Sequence, residues 1–186
     1  MVAANVTEEP MALRAILKTY TAPQHARLDE RLSRLGLGSS DAYAAFLSVQ
    51  FAARAPIERW AQDHCCADYR PPAMASLIAA DLNELGAPLP PECDFAMPAG
   101  GHDLGLAWAL GGSALGNRAM LAERRRVQAD GPQRFLSDRS MAKFFASLLP
   151  HLEGGSEVAD GAVAAARTVF ETFLAAADAH VYEAAE

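Results

Sequence analysis

Apolar residues recur at three- and four-residue spacing along most of this chain. No stretch alternates apolar with polar residues between turn signals, as a half-buried strand does. A chain so patterned must hide helical stripes against other helices, so the expected fold class is all-α. Abundant alanine and scarce isoleucine favour the same outcome. With 186 residues, 51% of them hydrophobic, the chain can bury the core of one domain. No internal repeat at a fixed period divides it. The expectation is a single-domain multi-helical bundle over 11–186, after a flexible N-terminal segment at 1–10.

Glycine and proline punctuate the helices. The first should run from about Met11 into the Arg31–Leu35 region, with Pro23 kinking it or restarting it after a cap at Thr21, and should end at Gly36 and Gly38. Ser40 and Asp41 look like the cap of a second helix to about Asp63, with a bend at Pro56. A third is expected from Pro72 to Leu85, then an irregular connection rich in proline and glycine. A glycine-bearing helix follows from about Asp103 to Val127. One more helix should carry Phe135, Phe144, Phe145 and Leu148 and end at Pro150, Gly154 and Gly155. A long final helix is expected from about Val158 to Tyr182.

A net charge of −7 argues against general attraction to nucleic acid or anionic lipid. No apolar run approaches the ~20 residues of a membrane span, and the acidic N-terminus lacks the pattern of a secretion signal. Cys65 and Cys66 are adjacent, and with Cys93 they form neither a CxxC pair nor a disulfide framework. A cytoplasmic protein with buried or idle thiols is expected.

Two segments carry the chemistry. In Leu13–Asp29, His25 shares a helical stripe with Leu28 and Leu32, so it should point inward. Lys18 lies seven residues earlier on roughly that stripe and Arg14 eleven earlier. An imidazole with a cation two turns away suits an anionic, metal-bearing ligand; the alternative is a core histidine bonded to a carbonyl, with Lys18 reaching water. In Gly105–Met120, a helical pattern contains four glycines, each costing about 0.5–1 kcal/mol relative to alanine in a helix interior. Gly105, Gly112 and Gly116 fall on one face with Ala109, either as a bare groove for a ligand or as a surface for close helix packing.

Thr21-Ala22-Pro23-Gln24-His25, with Lys18 upstream, resembles the proximal helix of heme oxygenases. Leu110-Gly111-Gly112-Ser113-Ala114-Leu115-Gly116 resembles their glycine-rich distal helix in its bacterial form. The resemblance covers most of the chain and implies a biliverdin-producing heme oxygenase, which opens the heme ring with O2 and electrons to biliverdin, CO and iron. His25 would be the proximal iron ligand, with Gly112 and Gly116 letting the distal helix lie against the ring and Ser113 anchoring a water. Lys18 and Arg167 would meet the heme carboxylates, with Phe170, Phe173 and Phe46 walling the ring. The chain departs from the family pattern at Gly111, at Asn117, which should narrow the groove, and at Ala107, which should remove a polar contact.

Other readings compete. A di-iron carboxylate site needs Glu-x-x-His pairs, and none of His25, His64, His102, His151 and His180 has a glutamate three residues before it. A thiol nucleophile is poorly served by His64 and Cys65, whose adjacent helical positions point apart. The alternative with most weight is a non-catalytic heme- or bilin-binding sensor or interaction module on the same fold. Arg124-Arg125-Arg126 reads as a helix end stabilised by the dipole, or as a dock for an acidic electron donor such as a ferredoxin. A bilin-accepting photoreceptor is a further partner that the resemblance suggests.

Overall fold

A computed structural model describes residues 11–35, 38–154 and 156–181. The segment at 1–10 and the expected boundaries at Gly36, Gly155 and Tyr182 lie outside the described residues. Seven α-helices follow in order: α1 (Leu13–Ser33), α2 (Ser40–His64), α3 (Ala75–Glu84), α4 (Asp103–Arg126), α5 (Arg134–Ser137), α6 (Ser140–Glu153) and α7 (Ala159–Val181). No strand occurs among the described residues, as the periodicity requires. None of the described helices is long and apolar enough to cross a membrane.

The long α7 is central and packs against α1, α2 and α4. Its Ala162, Ala165, Ala166, Ala176 and Ala177 are buried, and small side chains bring neighbouring backbones close. At Gly105 of α4, an added Cβ would lie 1.9 Å from the Ala162 carbonyl oxygen. Gly161 meets the Gly100 carbonyl almost as tightly, with a Cβ position 2.5 Å away. Gly111 faces α6, where a Cβ would come 2.7 Å from the Phe145 ring. The glycine helix is therefore partly a packing device, and Gly105 belongs to that role rather than to an open groove.

Helix starts are fixed by side chains from other helices, which sequence periodicity does not register. Glu58 of α2 accepts hydrogen bonds from the Met74 and Ala75 amides at 2.8 and 2.9 Å through Oε2. That carboxylate places the start of α3 at Ala75, three residues after the expected Pro72. Asp81, fully buried on α3, accepts from the Phe135 amide at 3.0 Å and the Arg134 amide at 3.3 Å. This capping sets α5 apart, and Asp138 then caps Ser140 at 2.7 Å to begin α6. The single helix expected through Phe135 and Leu148 is thus two, and the second runs past Pro150 to Glu153.

Both other internal prolines are also accommodated. α1 continues through Pro23, and Thr21 is no cap: its buried hydroxyl donates to the Leu17 carbonyl at 2.8 Å. α2 continues through Pro56, and its cap is Ser39, whose hydroxyl accepts from the Ala42 amide at 3.2 Å.

These contacts predict opposite outcomes for two alanine substitutions on one helix. Gly105→Ala should lower stability by about 2–3 kcal/mol or more, because backbone must move. Gly112→Ala, whose Cβ meets nothing within 4 Å, should leave stability unchanged or raise it by about 0.5–1 kcal/mol. Urea unfolding followed by circular dichroism compares them.

Candidate functional site

His25 does not enter the core. Its side chain is 60% exposed on α1, and its ring meets Phe170 of α7 edge-on at 5.7 Å. Leu28 and Leu32 on the same stripe are half-buried, so this face of α1 is a rim rather than an interior. Nδ1 of His25 lies 2.9 Å from the Asp29 carboxylate one turn on. In the neutral ring that hydrogen bond holds the proton on Nδ1 and leaves the lone pair on Nε2, the arrangement of metal-binding histidines backed by a carboxylate. The four-residue spacing was the available signal for Asp29.

Phe170 also meets the Trp108 ring of α4 at 6.4 Å, so one buried ring connects the His25 rim with the glycine helix. One turn beyond Trp108, the Cβ position of Gly112 has no atom within 4 Å, and that of Gly116 has only the Met120 methyl at 3.9 Å. These two glycines, unlike Gly105 and Gly111, spend their missing side chains on open space. The departures from the family pattern do not touch this face. Ala107 is buried with Leu13, Leu17 and Leu148, and Asn117 lines a cleft toward α6, so neither lies on the face of Gly112 and Gly116.

Ser113 is not a free water anchor. Its hydroxyl donates to the Leu110 carbonyl at 2.6 Å and accepts from Arg54 at 2.6 Å. Arg54 is fully buried on α2, where it also donates to Gln50 at 3.1 Å and pairs with Glu58 at 3.5 Å. Its guanidinium carbon lies 5.4 Å from the Phe135 ring and 5.7 Å from the Phe173 ring. Phe173 thus covers this cluster, and Phe46 packs in the core with Tyr43 and Phe135 rather than at the rim. Burial pushes the Glu58 carboxyl upward, offset by Arg54 and the two α3 amides; burial likewise lowers the Arg54 guanidinium, offset by Glu58. Sequence reasoning passed over Arg54, although Gln50, Arg54 and Glu58 at four-residue spacing lie on the stripe of buried Tyr43 and Leu47.

The expected carboxylate-binding cations are exposed. Lys18 makes no ion pair or side-chain hydrogen bond among the described residues. Arg167 donates through Nε to the Tyr20 carbonyl at 3.0 Å, tying α7 to α1. The Arg124–Arg126 run is dispersed. Arg124 is buried with its guanidinium 3.8 Å from the centre of the Tyr43 ring and bonds the Asp130 carbonyl, Arg126 pairs with Glu123, and Arg125 is exposed with no carboxylate partner among the described residues.

No three His, Cys, Asp or Glu side chains among the described residues gather into a metal site. A lone imidazole such as His25 therefore suits a metal that brings its own chelator. His25 has the Phe170 ring beside it, and Lys18 on the same helix has no ion-pair partner among the described residues. The thiols offer no competing centre: burial, then Asp103, push the Cys65 thiol up to about 12. Cys65 is buried, Cys93 half-buried and Cys66 exposed.

No protein-family model matches the sequence, and no curated protein matches it. Among solved structures, the chain is similar to the heme oxygenase of Neisseria meningitidis, determined in NO- and CO-bound forms. The two share 19% identity over 92% of each chain, with a TM-score of 0.72. The fold is that of the heme oxygenases.

Two predictions follow from the buried cluster and the thiols. Glu58→Gln should cost about 3–5 kcal/mol in urea unfolding, since it leaves Arg54 buried beside a neutral amide and weakens the start of α3. At pH 8, iodoacetamide should label Cys66 in the native protein and reach Cys65 only after unfolding; equal native labelling of both would contradict the assigned burial.

Proposed function

We propose that this protein is a heme oxygenase, with heme as cofactor and substrate and with O2 and an electron donor as co-reactants. The reading is carried by His25: an exposed imidazole, tied through Nδ1 to Asp29 and set against Phe170, whose ring also meets Trp108 of the glycine helix. Bound heme supplies the iron that activates O2, and ring opening yields biliverdin, CO and iron.

His25 Nε2 is the proximal ligand, and Asp29 orients the ring and raises its basicity. Gly112 and Gly116 let the α4 backbone lie against the macrocycle, where a larger side chain would stand in its place. Lys18 meets a propionate as a point charge, and Arg167 can do so through the guanidinium nitrogens not used on Tyr20. Ser113, fixed by Arg54, retains one acceptor lone pair beside the glycine face and so helps to order water there. Phe170 forms the apolar wall beside His25 and excludes water. The site operates in a cytoplasmic setting with an electron donor such as a ferredoxin, and a photoreceptor could take up the bilin.

The test is a spectrum of purified protein with one equivalent of hemin, followed by reductant in air. A Soret band that shifts or is lost in His25→Ala, and that gives way in the wild type to broad red bilin absorption, is expected. A stable His25-dependent band without ring opening would instead identify a heme- or bilin-binding sensor, and no Soret shift would overturn both. Asp29→Ala should weaken hemin binding about 10–100-fold. Gly112→Leu should block hemin binding while leaving the apo-protein folded by circular dichroism, since the substituted position is open.

A further inference from the structure

A cavity lies on the face of α4 turned away from Gly112 and Gly116. It is a cleft of about 710 Å³ between the C-terminal half of α4 and the α5–α6 corner. Its accessible apolar lining is Leu121, Ala122, Ala142 and Ala146, with Met74, Leu136 and Met141 buried beneath them. Around it stand Arg118 and Arg125 from α4, Arg139 from the α6 N-cap and Lys143 from α6. None of these four cations has a carboxylate or carbonyl partner among the described residues, whereas Arg31, Arg34, Arg54, Arg59, Arg126 and Arg134 are all paired with carboxylates. The acid lining the cleft, Asp138, is engaged by the Ser140 amide and hydroxyl. Asn117, only 7% exposed, also lines the cleft, and its amide makes no hydrogen bond among the described residues.

Four like charges around one concavity repel one another, and in a chain of net charge −7 acids were available to neutralise them. A volume of several hundred Å³ with an apolar floor and a few polar groups is the form of a small-molecule site. A flat acidic protein surface would satisfy the cations and leave the floor and the Asn117 amide empty. We propose that this cleft is a second binding site, for an amphipathic polyanion: a small molecule with an aromatic or alicyclic body and at least two carboxylate, sulfonate or phosphate groups. The body lies on Leu121, Ala122, Ala142 and Ala146, above the buried Met141, the anionic groups reach Arg118, Arg125, Arg139 and Lys143, and Asn117 bonds a polar atom of the body. The proposal is independent of the heme reading, because it uses the opposite face of α4.

The test uses 1,5-naphthalenedisulfonate as probe and methyl NMR of the full chain. Saturable shifts of the Met141, Leu121 and Ala114 methyls are expected, weakening at higher salt. Arg125→Glu/Arg139→Glu should raise the dissociation constant at least about tenfold while leaving hemin binding unchanged. His25→Ala should leave the shifts intact. Arg118→Gln/Lys143→Gln, a milder pair, should weaken the probe too and guards against misfolding of the charge reversal. Shifts that persist at the cleft in both pairs, or that fall around Trp108 and the α1 rim instead, would overturn the proposal, as would an acidic protein that shifts these methyls when the disulfonate does not.

Discussion

The buried guanidinium of Arg54 joins α2 to the glycine helix and, through Glu58, to the start of α3. It lies wholly out of water, which is costly for a charge, so its surroundings must answer it with Gln50, Glu58, Ser113 and two aromatic faces. Each of those answers fixes a separate part of the fold. Glu58 uses its second oxygen to begin α3, and Ser113 ties α2 to the glycine helix. Removing one partner would leave the rest buried without compensation, so the cluster specifies one relative placement of α2, α3 and α4.

A relay of acids extends the same logic. Glu58 of α2 caps α3, and Asp81 of α3 caps α5. Each carboxylate lies far in sequence from the amides it accepts, which is why the expected boundaries of α3 and of the α5–α6 region were displaced. Periodicity reports which face of a helix is buried, but where a helix starts depends on which buried acceptor reaches its first amides.

The glycine helix shows how one sequence feature can hold two physical uses. Close packing and an open groove were equally compatible with four glycines in a row of helical turns. The glycines divide by face: Gly105 and Gly111 admit α7 and α6, whereas Gly112 and Gly116 look onto free space. The division follows from helix rotation relative to neighbours, and no count of glycines could supply it. Ala107 and Asn117, which looked like losses from the site, lie on packed faces for the same reason.

By itself the sequence determined the all-helical class, the approximate course of the long helices and the two segments worth attention, because 3.6-residue periodicity and helix breakers are local properties. The resemblance carried by Thr21–His25 and Leu110–Gly116 pointed to the heme oxygenase fold that the structure has. Tertiary structure decided that His25 stands on an exposed rim with Asp29 behind it and Phe170 beside it. It also decided that Ser113 belongs to a buried arginine, and that the arginine run splits between core, ion pair and cleft. Those outcomes depend on which helices meet and at what rotation, and contacts between distant segments leave little trace in local sequence.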